Sequence, residues 1–278
     1  MKAISKLTIS LSHIFFSMCL MTFSTSTLAV NIPSSYEFYS SIGNVTTYKH
    51  KWFSTYAVVV KSRNASVSFG GHVGVAGNDK YYRDAILGHR NQNSNAVAVM
   101  NGQFFDVLGA DYYSTQPARL MFPIKSNWAT ISSGNYDNSI PLRSLFIDNY
   151  GRAYFQEGFS QSIFNNSSIK EYLTGIHPNH GISPYATIGR NYIGGIPSSN
   201  CNPDYATCEA EYLVFIIANK ATRSGMINQL DEWATHPKFR MMMDGSGSAQ
   251  FSLKTYTGTS TILSGDNRKI PHSITISN

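Results

Sequence analysis

The 278-residue chain is poor in charge and in cysteine, and beyond its first 30 residues it has no long apolar run. Asp, Glu, Lys and Arg make up only 14% of it, while 42% is hydrophobic. That balance excludes a disordered chain, because enough apolar surface is present to build a core. No stretch concentrates Lys and Arg, so the formal net charge of +6 leaves no nucleic-acid footprint. No later segment reaches ~18 uninterrupted apolar residues, so no stable membrane span is expected. His-Glu-x-x-His, an EF-hand loop, a Cys/His cluster, a P-loop and a GxGxxG turn are all missing. No cofactor is therefore expected, although a divalent cation held by Asp244, Asp106 and loop carbonyls stays open. Internal repeats, heptads and low-complexity blocks are also missing, which excludes solenoids and coiled coils.

The start of the chain has the marks of an export signal. Lys2 and Lys6 form a basic beginning, Leu11 to Phe23 is apolar, and Thr27-Leu28-Ala29 ends in small residues at the −3 and −1 positions. Residues 1–29 are read as a removed signal peptide, and the mature protein as exported, either periplasmic or secreted. An uncleaved anchor is the alternative. Met18 before Cys19 does not fit a lipobox. Removing Cys19 leaves Cys201 and Cys208, and an even pair in an exported chain predicts one disulfide closing a short turn-like loop. Residues 30–278 are long enough for one domain with a sizeable core, and one domain is the better expectation. Seventeen Tyr and sixteen Phe suit a wet apolar sugar-binding surface, or simply a strand-rich exported protein.

Residues 30–50 are polar and Ser/Thr/Tyr-rich and are read as a lead-in segment. Tyr56 to Val60 reads as a strand with Ala65 to Phe69 as its partner, and Ala96 to Met100 as a buried strand. Leu145 to Phe155 reads as a hairpin turning near Asn149–Gly151. Tyr212 to Ala218 is a further strand. Met226, Ile227, Leu230, Trp233 and Ala234 fall at helical spacing, with Ser224 as a candidate cap and Pro237 as the stop. Phe239 to Met243 returns as a strand. A crossover helix usually makes its flanking strands parallel and puts the following loop at a carboxyl end, where ligand sites concentrate. The fold expected is mixed α/β (α+β): a strand-rich single domain with a mixed sheet and a few helices.

That last strand ends in Met243-Asp244-Gly245-Ser246-Gly247-Ser248. An Asp delivered into a small-residue turn sits beside exposed backbone N–H groups. Glycine allows positive φ and close approach of a ligand, which suits an anion. A plain Asp-Gly turn between strands is the structural alternative. Val97 to Asp106 repeats the design, with Asn101-Gly102 at the strand end, and Gly265 to Ile274 adds Arg268 and His272.

These three segments, Asn101-Gly102-Gln103-Phe104-Phe105, Asp244 to Ser248 and Arg268-Lys269-Ile270-Pro271, resemble the phosphodiester glycosidase family in order and rough spacing. Ser246 stands where that family usually has Gly. The resemblance covers residues 95–276 and is sharp only at the three motifs. It implies hydrolysis of a sugar-1-phosphodiester or a related envelope glycan linkage. Asp244, Asp106 and His272 are then the candidates for acid–base and charge-stabilising work. Asn101, Gly102, Gly245, Ser246, Gly247, Ser248, Arg268 and Arg190 are the candidate substrate contacts. Arg268 offers a bidentate fork to a phosphate. Arg190 follows its Ile-Gly pair, whereas the family's Arg usually precedes it. Each has a bland reading: Asp106 as a loop cap, Asn101 as an Asn-Gly turn, Arg268 as a solvated arginine, His272 as a structural histidine. Two other functions stay open. One is a non-catalytic glycan-binding module of the cell envelope. The other is a serine hydrolase with Ser246 as nucleophile and His272 as base, although Gly-Ser-Gly-Ser is not the nucleophile elbow. The glycosidase reading requires the loops at 101–106, 244–248 and 265–272 to line one cleft. The partner expected is a carbohydrate or sugar phosphate.

Overall fold

The computed structural model describes residues 30–77, 79–107, 111–134, 139–180, 184–205, 207–263 and 265–278. Residues 1–29, read from the sequence as a signal peptide, lie outside them.

Two antiparallel sheets packed face to face make the body of the protein. The larger has eleven strands, in the order Tyr36–Ile42, Val45–His50, Thr55–Lys61, Ala210–Ala221, Ala153–Glu157, Leu142–Asp148, Ile169–Ile176, Ile124–Ser126 and Ala129–Ser132. Ile188–Pro197 and Arg240–Met243 complete it by bridging Ala210–Ala221 to Ile169–Ile176, so six of the strands close into a ring. The second sheet runs Gly258–Leu263, Phe251–Thr255, Ala98–Asn101, Ser273–Ser277 and Ser66–Gly71. Four short strands form a third.

Strand periodicity builds the layers. Val58 and Val60 point to one side of the large sheet, where they meet Phe69, Met100, Phe251 and Ile274 of the second sheet. Ala57 and Val59 point to the other, where Met226 and Leu230 of the helix Arg223–Glu232 and Trp233 at its C-cap cover them together with Tyr36 and Tyr48. Met241 and Met243 belong to the first face, and Met242 to the second. Val99, between Ala98 and Met100, turns outward to pack on Ile86 of the helix Ile86–Gln92.

Every strand pairing among the described residues is antiparallel, which corrects the expected mixed sheet. The strands flanking the crossover helix do share a direction, but Ile188–Pro197 lies between them and runs against both. Helices are few and short, so the protein is mostly β. Residues 36–50 are not a lead-in but a hairpin turning at Gly43, whose φ is +57°. Ser66–Gly71 pairs with Ser273–Ser277 rather than with Thr55–Lys61, because Ser62 donates to Glu211 O and the turn after it carries the chain into the second sheet. Thr222, not Ser224, caps the crossover helix by accepting from Gly225 N–H at 3.1 Å. Cys201 and Cys208 form the expected disulfide, with an S–S distance of 2.04 Å. No helix among the described residues is long and apolar enough to cross a membrane.

Candidate functional site

The two sheets are stitched together where Ala98–Asn101 and Arg240–Met243 end, and the three sequence motifs meet there. Asn101 donates from Nδ2 to Asp244 O at 2.8 Å, and Asp244 N–H donates to Gly102 O at 3.2 Å. Gly102 N–H donates to His272 O at 3.2 Å. Asp266 N–H donates to Gly247 O at 3.1 Å, which ties the third segment to the second.

Asn101 is buried and its amide is nearly spent. Besides the bond to Asp244, its Oδ1 accepts from Gln250 N–H at 3.1 Å and from Asn191 Nδ2. Asn191 also donates to Asn101 O at 3.0 Å and stands opposite Met243, one residue before Asp244. Asn101 and Asn191 therefore set the place of Asp244. Asn191 was not among the sequence candidates. Its signal is a lone amide inside an apolar strand, masked by the Arg190 beside it. Alternation sends Arg190 to the opposite face of that strand. There its guanidinium is buried and donates to Ala221 O at 3.2 Å and Ala186 O at 3.1 Å.

The Asp244 turn is shaped by close approach more than by glycine torsions. Ser246 holds the positive φ, +56°, in the position where the resembling family has Gly. Gly247 is needed for space: a Cβ there would lie 2.6 Å from Asp266 Oδ2 and 3.2 Å from Arg268 Nε and Nη2. Gly245 is needed for the same reason, with Gly189 O 2.6 Å from its would-be Cβ.

Asp244 keeps some residue exposure, yet its Oδ2 is shut off from solvent and has no hydrogen-bond partner. Burial pushes its pKa up to about 7, against the lowering pull of Ser248, Arg268, Gly245 N–H and Asn101. Ser248 is fully buried, its hydroxyl faces the Asp244 carboxylate and favours its ionised form, and its Oγ has no other partner among the described residues. Arg268 Nε has no hydrogen-bond partner, and no ion pair claims Arg268 among the described residues. Orphaned buried polar atoms are uncommon in folded proteins. Here a carboxylate oxygen, a hydroxyl and a guanidinium N–H gather on one turn.

His272 sits at the same junction in a different role. It is buried, its Nδ1 accepts from Gln103 N–H at 3.0 Å, and its Nε2–H donates to Phe69 O at 2.6 Å. Burial pushes its pKa down to about 3. Both nitrogens are committed to backbone, so the neutral ring braces the Gly102–Gln103 turn and is not available to move a proton to or from a ligand. Ser246, exposed, thus has no histidine base, which takes away the serine-hydrolase reading. Asp106 lies on the short strand Phe105–Asp106 opposite Arg119, exposed, with no side-chain hydrogen bond or ion pair among the described residues. It lines a separate small cavity of about 130 Å³ with Phe105, Arg119, Leu120 and Met121. Larger cavities beside Arg63 and Glu209, beside Arg143 and Glu157, and beside Gln92 and Thr275 are likewise not lined by Asp244. Among the described residues no three His, Cys, Asp or Glu side chains gather at metal-binding range.

No family model matches the chain. No curated protein matches it. Among solved structures, the fold is similar to the zebrafish N-acetylglucosamine-1-phosphodiester alpha-N-acetylglucosaminidase catalytic domain, auto-inhibited by its pro-peptide. The TM-score is 0.56 at 13% identity, over 87% of this chain and 83% of that one. A hypothetical protein from Synechocystis is similar at a TM-score of 0.42 and 8% identity, over 87% of this chain and 61% of that one. At these identities the likeness is one of fold: this chain shares the architecture of a phosphodiester glycosidase catalytic domain.

Proposed function

We propose that the protein is an exported hydrolase that cleaves a sugar-1-phosphodiester or a related envelope glycan linkage. The observation that carries this reading is the solvent-shielded cluster of Asp244 Oδ2, Ser248 Oγ and Arg268 Nε at the meeting point of the three motifs, where Ser248 and Arg268 both act on the Asp244 carboxylate and donors and acceptors are left over. The shared architecture with a phosphodiester glycosidase catalytic domain supports it. So do the export-type leader and the disulfide.

The chemistry follows from the groups. Glycosidic cleavage needs a proton for the departing oxygen and a base for water. A carboxyl whose pKa is about 7 does either near neutrality, and Asp244 is such a group. Arg268 offsets the charge of a phosphate with paired donors. Ser248 Oγ supplies an orienting hydrogen bond. Asn101, itself held by Asn191, fixes the Asp244 backbone carbonyl and so the point from which the carboxylate projects.

Asp244→Asn keeps the side chain's size and removes its acid–base capacity. Turnover of a panel of sugar-1-phosphodiesters should fall ~10²-fold or more, with sugar binding retained. Arg268→Lys should impair phosphodiesters more than simple aryl glycosides, because the fork is lost while the charge stays. Wild-type protein that binds these sugars without turning any over would establish the glycan-binding module instead. Full turnover in Asp244→Asn would remove Asp244 from the mechanism.

A further inference from the structure

Arg268 is built to present one edge. Its backbone is fixed by Gln250, whose Nε2 donates to Arg268 O at 2.5 Å while its Oε1 accepts from Ile86 N–H at 3.0 Å. The next residues are fixed too: Asp84 and Ile270 exchange backbone bonds at 2.8 and 3.0 Å. Its guanidinium lies on the ring of Tyr112, with the carbon 4.0 Å from the ring centroid. Stacking occupies the face of the guanidinium and leaves its in-plane N–H groups free. Nε and Nη2, the pair that makes a bidentate fork, both approach the Gly247 turn, each 3.2 Å from where a Cβ would be. The exposed Asp266 carboxylate reaches the same point with no ion pair to Arg268 among the described residues, and Arg268 Nε has no hydrogen-bond partner.

Tyr112 is itself held. Lys269 N–H donates to Tyr112 O at 2.9 Å. Asp111 Oδ1 accepts from Tyr113 N–H at 3.2 Å and Ser114 N–H at 3.1 Å, folding the segment into a turn. Buried Arg83 clamps the far end, donating from Nε to Gln116 O at 2.6 Å and from its backbone to Thr115 O at 3.3 Å. These anchors fix the segment that carries Tyr112, so its ring is presented to Arg268 from a held backbone.

We infer that Tyr112 is a positioning residue for anion recognition: its ring seats Arg268 so that the Nε–Nη2 edge receives two oxygens of a phosphate or phosphodiester. The inference rests on the proposed function, whose site it deepens. Tyr112 does not touch the reacting atoms. It lowers the entropy cost of holding a long side chain in one rotamer, and that cost otherwise weakens the bound state.

The test is inorganic phosphate binding by calorimetry, together with the NMR signal of the Arg268 Nε–H. Tyr112→Ala should weaken phosphate binding about 5- to 20-fold, a range typical of lost cation–π and ordering contributions. Tyr112→Phe, which keeps the ring, should bind like wild type. The Arg268 Nε–H signal should carry a ring-current shift in wild type and Tyr112→Phe and lose it in Tyr112→Ala, which reads the stack without any ligand. With hydrolysis of a phosphodiester, Tyr112→Ala should raise KM more than it lowers kcat. If wild type binds phosphate and Tyr112→Ala binds equally well, the inference is overturned and the proposed function stands. If wild type and Arg268→Lys are alike in binding no phosphate, the anion site fails and both readings fall.

Discussion

At the scale of single residues, Asp244 is both the most useful group and the least comfortable one. A shielded carboxylate oxygen without a partner is a stability cost, and the proposed function gives the reason for retaining it. Its pKa is raised by burial, so the folded state holds a proton that the unfolded state gives up above the ordinary carboxylate range. The linked stability is fully present below about pH 4 and is lost as the pH rises through the folded value of about 7. Asp244→Asn removes this dependence. Denaturant unfolding should show the Asn variant gaining on wild type from pH 4 to pH 7 and holding a constant advantage above. The plateau should be roughly 1–3 kcal/mol, below the full ~1.4 kcal/mol per unit, because Asp244 is partly solvated. Parallel pH curves for the two proteins would show that the carboxylate is ionised and satisfied in the native state. The same turn contains a second cost in the positive φ of Ser246, a conformation most side chains avoid.

At the scale of elements, the strand ends decide what was legible. Asn101 and Asp244 each follow an apolar run, and sequence places such residues at exposed ends of buried strands. The hairpin at Leu142–Glu157 and the helix Arg223–Glu232 were equally readable, since turn chemistry and 3.6-residue spacing are local signals. Partnership between strands is not local. Nothing in Ser66–Gly71 announces that it joins the second sheet, and nothing in the polar alternation of residues 36–50 separates an edge hairpin from a loop. Asn191 escaped for the same reason, because its importance comes from the strand opposite it. The Gly102–His272 contact shows how tightly these ends are fitted. A Cβ on Gly102 would collide with the His272 ring, which is pinned by Gln103 N–H on one side and Phe69 O on the other. Gly102→Ala should therefore cost about 1–3 kcal/mol as overpacking, seen as a melting temperature several degrees lower. It should also reduce any activity that depends on Asp244, whose N–H bonds to Gly102 O. An unchanged melting temperature would show that the ring yields and that the brace is not rigid.

At the scale of the whole molecule, the site and the disulfide sit at opposite ends of one long hairpin. Ile188–Pro197 and Ala210–Ala221 form it, with Asn191 near the site end and Pro197 paired with Ala210 at the other. Pro197 is six steps along the strand from Asn191, roughly 20 Å at ~3.3 Å per residue. The Cys201–Cys208 bridge closes the loop at that far end, next to strands that form the middle of the large sheet. A bridge over so short a loop restricts the unfolded chain by roughly 2–3 kcal/mol. The double variant Cys201→Ser, Cys208→Ser should melt about 4–12 °C lower, given ~2–4 °C per kcal/mol for a domain of this size. Well below that melting temperature, phosphate binding and turnover should match wild type, because the Asn101–Asn191–Asp244 junction is set by the two sheets and not by the loop. Loss of binding at low temperature in the double variant would mean that the far end of the hairpin controls the register at the near end. A one-residue slip there would turn Asn191 away from Asn101.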